Sequence, residues 1–172
     1  DDNLAAWLDA LEDGYWLNHD EEALAWHARE VMAAREGRAI PHVAARIRPV
    51  QAVTEVLVYA GDRPGLFASI AAAIAAGGAD ILNARVHTTK EGAAFDVFSV
   101  QTADRQPFGL DDPEALEALI ARLHRAALEY FAPPPPKPPS RRAAAFSIEP
   151  WVRVDNALTP HATVVEASGR DR

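Results

Sequence analysis

Asp62-Arg63-Pro64-Gly65-Leu66 is the stretch of this sequence whose residue types could act together on a small molecule. It follows a short apolar run, Val56-Leu57-Val58-Tyr59, closed by Gly61. An alanine-rich segment with Phe67, Ile70 and Ile74 at helical spacing comes after it. A loop that enters a helix presents unpaired backbone amides and the positive end of the helix dipole. That is a seat for a carboxylate. Gly65 lets a ligand approach the backbone closely, and Asp62 supplies a negative charge for an α-ammonium group. Asn83, early in the next strand, has both donor and acceptor and can read a side-chain amide such as that of glutamine. Each residue also has a plainer use. Asp62 can cap the helix, Asn83 can satisfy a strand edge, and Arg63 can be a solvated surface charge. Clustering at one end of the expected sheet is what favours a ligand over these separate uses.

Other chemistry is thin. The histidines His19, His27, His42, His87, His124 and His161 are scattered, without the spacing of a metal site or a His-Asp dyad. Ser69 falls inside the expected helix with no base pattern near it, which argues against nucleophilic catalysis. Asp111-Asp112 and Glu21-Glu22 fit helix starts better than a general acid/base pair. Gly77-Gly78 fits a helix stop better than a phosphate cradle. Trp7, Trp16, Trp26 and Trp151 suit interface anchors as well as packing.

The elements that must position the loop follow from periodicity. Leu4, Trp7, Leu8 and Leu11 predict a helix ended by Gly14. A second begins near Asp20 as its cap, carries Leu24, Ala28 and Val31, and stops at Gly37. Residues 1–39 thus read as a helical extension too poor in apolar residues for a core of its own. From Thr54 the pattern is strand, helix, strand (about 79–89), a turn at Lys90-Glu91-Gly92, and strand (93–101). Pro64 is expected in the first helical turn. Asp112-Pro113 opens a helix with Leu116, Leu119, Ile120, Leu123 and Ala127, expected to run to Pro133. One more strand completes a ferredoxin-like βαββαβ sandwich of α+β class. The run 133–139 is a proline-rich loop, and residues 146–154 are expected to return as that last strand. The alternative is a domain boundary at Pro133.

Composition sets the outer limits. Among 172 residues, 17 basic against 25 acidic side chains give a net charge of −8, which disfavours nucleic acid or an anionic membrane as partner. There is no cysteine, so disulfides and thiol chemistry are excluded. No stretch approaches the roughly 20 apolar residues of a membrane span, and a cytoplasmic location is the default. Thr54–Arg63 (TEVLVYAGDR) and Thr163–Arg172 (TVVEASGRDR) align without gaps at four identities in ten. Such a repeat predicts tandem domains. Residues 161–172 are then a first strand without its partners, expected to fray or to join another sheet edge. The chain is expected to be a piece of a longer protein.

The segment 62–66 between strand and helix resembles the signature loop of ACT domains, small βαββαβ modules that bind amino acids. Residues 78–85 (GADILNAR) and 96–100 (DVFSV) resemble more specifically the first of two C-terminal ACT domains of the bifunctional uridylyltransferase/uridylyl-removing enzymes that modify the nitrogen-signalling protein PII. Tyr15-Trp16-Leu17, residues 146–156 and the second Asp171-Arg172 resemble the segments flanking that domain. The resemblance implies a helical segment over 1–49 following a phosphohydrolase domain, a first ACT domain over 50–157, and the first strand of a second over 158–172.

It implies glutamine sensing, with Asp62, Arg63, Pro64, Gly65, Leu66, Asp80, Ile81 and Asn83 as ligand-binding residues. It implies PII as the target of the parent enzyme, Mg as the parent's cofactor and none here, and a facing ACT domain or a homodimer as partner. No residue of this region is expected to be catalytic or to bind metal. A ligand-free interaction or oligomerisation module is the alternative, and a complete small enzyme the third reading.

Overall fold

The computed structural model describes residues 2–11, 15–16, 19–132, 149–159 and 162–168. Its contacts divide the chain into two units, 1–134 and 135–172. The first contains α1 (Asp2–Ala10), α2 (Glu21–Gly37), β1 (His42–Arg48), β2 (Val53–Gly61), α3 (Leu66–Ala76), β3 (Asp80–Thr88), β4 (Ala93–Gln101) and α4 (Pro113–Leu128). The second contains β5 (Trp151–Thr159) and β6 (Ala162–Ser168).

In the first unit the strands form one sheet in the order β1-β2-β4-β3, with every neighbouring pair antiparallel. Strand alternation sends Val56, Val58, Ala60, Ala94, Phe98 and Val100 to one face, against Ile70, Ile74, Leu119 and Leu123 of α3 and α4. Gly77 ends α3 where a Cβ would meet Leu119 Cδ1 at 2.9 Å, so a bare backbone is what lets the two helices close. The opposite face is covered too: Leu57, Tyr59, Phe95 and Val97 pack with Trp7, Leu11, Tyr15, Trp26 and Val31. The helical extension therefore uses the back of the sheet as its core. Burial on both faces explains why β2 and β4 read as nearly continuous apolar runs rather than as alternating strands.

Both expected caps are present. Asp20 Oδ1 accepts from Ala23 N–H at 2.8 Å, and Asp112 Oδ1 from Ala115 N–H at 3.0 Å. The buried side of α2, however, is Ala23, Trp26, His27, Val31 and Ala34, whereas Leu24 and Ala28 are only half-buried. α4 ends at Leu128, short of Pro133.

The strand β1 was not expected; its residues fell in the segment read as helical. Arg46 and Arg48 conceal it, because neither suits a core. They survive as half-buried residues because Glu55 on β2 lies across from them. Its Oε2 accepts from Arg46 Nε at 2.6 Å and lies 3.7 Å from Arg48 Nη1, and Arg46 also stacks 4.5 Å over the Trp26 ring.

β1 takes the place beside β2 expected for the strand after the proline run. That later strand, β5, pairs instead with β6. Neither fraying nor a foreign edge is needed for 162–168. The registers give the physical reason: His42↔Tyr59 through Ala45↔Val56 in the first unit become Trp151↔Ser168 through Val154↔Val165 in the second. The same displacement that aligns Thr54 with Thr163 carries one hairpin onto the other. The sequence repeat therefore begins one strand earlier than its identities reveal, and β5 is the counterpart of β1 rather than a closing strand. The proline-rich loop 133–139 and Asp171-Arg172 lie outside the described residues.

Candidate functional site

The loop after β2 is a turn followed by an uncapped helix. Asp62 N–H donates to Gly92 O at 3.1 Å, tying the loop to the β3–β4 turn. Leu66 N–H donates to Arg63 O at 3.1 Å, and Gly65 has φ 80° and ψ 6°. Proline then glycine at the two central positions, with that dihedral pair on glycine, makes a type II turn. Pro64 therefore sits in the turn before α3, not in its first helical turn as expected. No side chain caps α3, so Asp62 does not have the capping role it was also suited to. Asp62 is exposed, and its carboxylate has no hydrogen-bond or ion-pair partner among the described residues. The amides of Phe67 and Ala68, in the first turn, lack intrahelical acceptors.

Arg63 is not a free surface charge. Its Nη2 donates to Ala126 O at 2.9 Å and Glu129 O at 2.8 Å, closing the last turn of α4. Leu66 is buried in the core. Of the five loop residues, Asp62, Pro64 and Gly65 remain exposed to solvent.

Asp80, Ile81 and Asn83 lie elsewhere. They are exposed on β3, the edge strand, beside a register shift between Ile81 and Asn83. Asn83 is opposite Ser99, which is opposite Glu55, whereas the loop leaves β2 after Gly61. Six residues at roughly 3.3 Å each separate these levels by roughly 20 Å. The expected clustering at one end of the sheet is thus not found within one copy. The cause is topological: α3 returns the chain to the far end before β3 begins.

Two features were missed by sequence reasoning. Asp96, in the centre of β4, is 1% exposed, and its Oδ1 has no hydrogen-bond partner. Burial pushes its carboxyl up to about 7, helped by the charge of Asp62 and opposed by the His87 backbone N–H, which donates to it. A lone acid inside Phe95-Asp96-Val97-Phe98 was the available signal.

The second is an aromatic hub on the other face. Tyr15 packs edge-on against Trp7, His87 and Phe95, and its hydroxyl lies 2.8 Å from His27 Nδ1. The His19 ring lies 4.8 Å from that of His27. Burial lowers His19 to about 4 and His27 to about 3, keeping both rings neutral near pH 7. Among the described residues no group of three His, Cys, Asp or Glu is placed to hold a metal ion, and no helix is long and apolar enough to cross a membrane.

Residues 54–125 match the ACT domain family. Over 168 residues, 96% of the chain, the sequence is 47% identical to the bifunctional uridylyltransferase/uridylyl-removing enzyme of Phenylobacterium zucineum. It is 40% identical to that of Caulobacter vibrioides over 96% of the chain, and 35% to that of Gluconobacter oxydans over 99%. The chain spans about 18% of the length of each of these relatives. No solved structure matches it significantly. The chain therefore carries an ACT domain and is homologous, over nearly its whole length, to one part of the bifunctional uridylyltransferase/uridylyl-removing enzymes.

Proposed function

We propose that this chain is the regulatory, amino-acid-sensing region of a cytoplasmic enzyme that attaches uridylyl groups to PII and removes them, and that its ligand is glutamine. The chemistry, with its Mg, belongs to domains outside this chain, and no residue here takes part in it. The observation that carries the reading is the loop 62–66: an exposed, unpartnered Asp62 beside an uncapped helix start and a glycine held at positive φ. The ammonium group meets Asp62, and the carboxylate meets the first-turn amides of α3.

The site is completed by a second ACT domain, in another copy or elsewhere in a longer chain. Two β3 edges paired antiparallel would set the start of one strand beside the end of the other. Asp80, Ile81 and Asn83 of one domain would then approach the loop of its neighbour, and Asn83 would read the side-chain amide. Binding would favour the paired arrangement, and that preference is what reaches the catalytic domains.

Calorimetric titration of glutamine into the chain, with glutamate as control, tests this. Saturable glutamine binding that disappears in Asp62→Ala is expected. Silence toward glutamine at millimolar concentration, from this chain and from one extended through a second ACT domain, contradicts it. An interaction module without ligand is the second reading, favoured by Ile81, Leu82 and Val86, which stay 38%, 57% and 50% exposed on the edge strand. Association unaffected by glutamine would support that reading.

A further inference from the structure

Beside the face of the sheet covered by α2 lies an open groove of about 470 Å³, lined by none of residues 62–66. Arg35 and Arg38 at the end of α2 line it, with Ile40, Tyr59 and Glu91 around them. Gly61 and Gly92 also line it; Gly61 precedes Asp62, and Gly92 O accepts the hydrogen bond that anchors Asp62.

The charges in this groove are incompletely matched. Both Glu91 oxygens approach the same nitrogen of Arg35, Nη2, at 3.5 and 3.2 Å. A guanidinium and a carboxylate pair best through two parallel hydrogen bonds to two nitrogens. Here Nη1 is buried and has no partner. Arg38 is exposed, in a left-handed conformation at φ 50°, and its side chain has no partner among the described residues. Glu91 is half exposed on a tight turn and can swing away. Ile40, 50% exposed, supplies the apolar surface, and Tyr59, 3% exposed, only a small edge.

The geometry points to a binding site for a small organic carboxylate with an apolar body, seated on Arg35 and Arg38 against Tyr59 and Ile40. The ligand's carboxylate takes the place of Glu91 on Arg35 Nη2 and adds a contact to the unpartnered Arg38, and Glu91 is the internal occupant that gives way. Two guanidinium groups and one carboxylate leave a single net positive charge, which suits a monoanion. A dianion such as phosphate would meet Glu91 at close range without an apolar group to cover Ile40. A ligand seated here touches Gly61 and Gly92 and so reaches the base of loop 62–66 from behind.

The test is a titration of the full chain, followed by amide shifts of Gly61, Gly92 and Ala93, with benzoate, the isosteric but uncharged benzamide, and inorganic phosphate. Saturable shifts with benzoate are expected, at least about tenfold weaker with benzamide and absent with phosphate. Arg35→Gln should weaken benzoate about tenfold, whereas Glu91→Gln, on an exposed turn, should tighten it a few-fold by removing the competitor. Asp62→Ala should leave the benzoate titration unchanged, which separates this site from the proposed amino-acid site. Equal binding of benzoate and benzamide, or a Glu91→Gln variant that binds more weakly or no differently, would overturn the proposal.

Discussion

Replacing Asp96 with asparagine should change how stability depends on pH in a way calculable from the structure. The carboxyl titrates near 3.8 in the unfolded chain and at about 7 in the fold, because it is buried and close to the charge of Asp62. A raised folded value means that the folded chain binds the proton more tightly. The stabilisation is complete below pH 3.8 and is lost as pH rises through 7. At about 1.4 kcal/mol per tenfold in proton affinity, the full loss is on the order of 4 kcal/mol. About 2 to 3 kcal/mol of it falls between pH 5 and 8. Asparagine keeps an oxygen for the His87 N–H and carries no charge at any of these values. Urea unfolding of both proteins at pH 5, 6, 7 and 8 measures the difference, and the contributions of His19 and His27 cancel because both proteins share them. With a slope of about 2 kcal/mol per molar, the midpoint of Asp96→Asn should gain roughly 1 M on the parent between pH 5 and 8. Parallel curves for the two proteins over that range would refute the assignment of a buried, charge-strained carboxyl.

The histidine hub should respond to acid instead. His19 and His27 are lowered in the fold, to about 4 and about 3, so the unfolded state takes up protons first and stability declines as pH falls below 6.5. For the fully buried His27 this amounts to about 2 kcal/mol by pH 5. Fluorescence of the buried Trp7 and Trp26 should report loosening of the N-terminal helices at a higher pH than the sheet itself unfolds. Gly65→Ala should cost about 1 to 2 kcal/mol through its positive φ alone, since the nearest atom to an added Cβ, Tyr130 Cε2, is 3.9 Å away. A urea midpoint unchanged by that substitution would show that the turn is not of type II.

What the sequence displayed and what it hid follow from range. The caps at Asp20 and Asp112 and the turn at Pro64-Gly65 are local, made within four residues, and their residue types announce them. β1 was hidden because its Arg46 and Arg48 are acceptable only beside Glu55 and Trp26, a pairing that no local pattern shows. The cover of the second face was hidden likewise: residues 1–39 look too poor for a core until Leu57, Tyr59, Phe95 and Val97 are supplied by the sheet.

The separation of Asn83 from Asp62 was in principle legible. α3 has 11 residues, about 16 Å of helix, enough to carry the chain back along the sheet before β3 starts. The length of that helix, not the order of the motifs, decides which end each residue occupies. Asp96 was visible as a misfit in an apolar strand, but its coupling to Asp62 depends on how β2, β4 and the loop converge.

The central claim is that one ligand site is shared by two ACT domains, the loop coming from one and the β3 start from the other. Mixing tests it most directly. Asp62→Ala and Asn83→Ala chains are titrated with glutamine separately and then as an equal mixture. If sites are shared across a two-fold pair, each variant alone should be silent. The mixture should then recover about a quarter of the parent's sites, because half of the random pairs contain one intact site. Full binding by Asn83→Ala alone, or a silent mixture beside a parent that binds, would contradict the shared site.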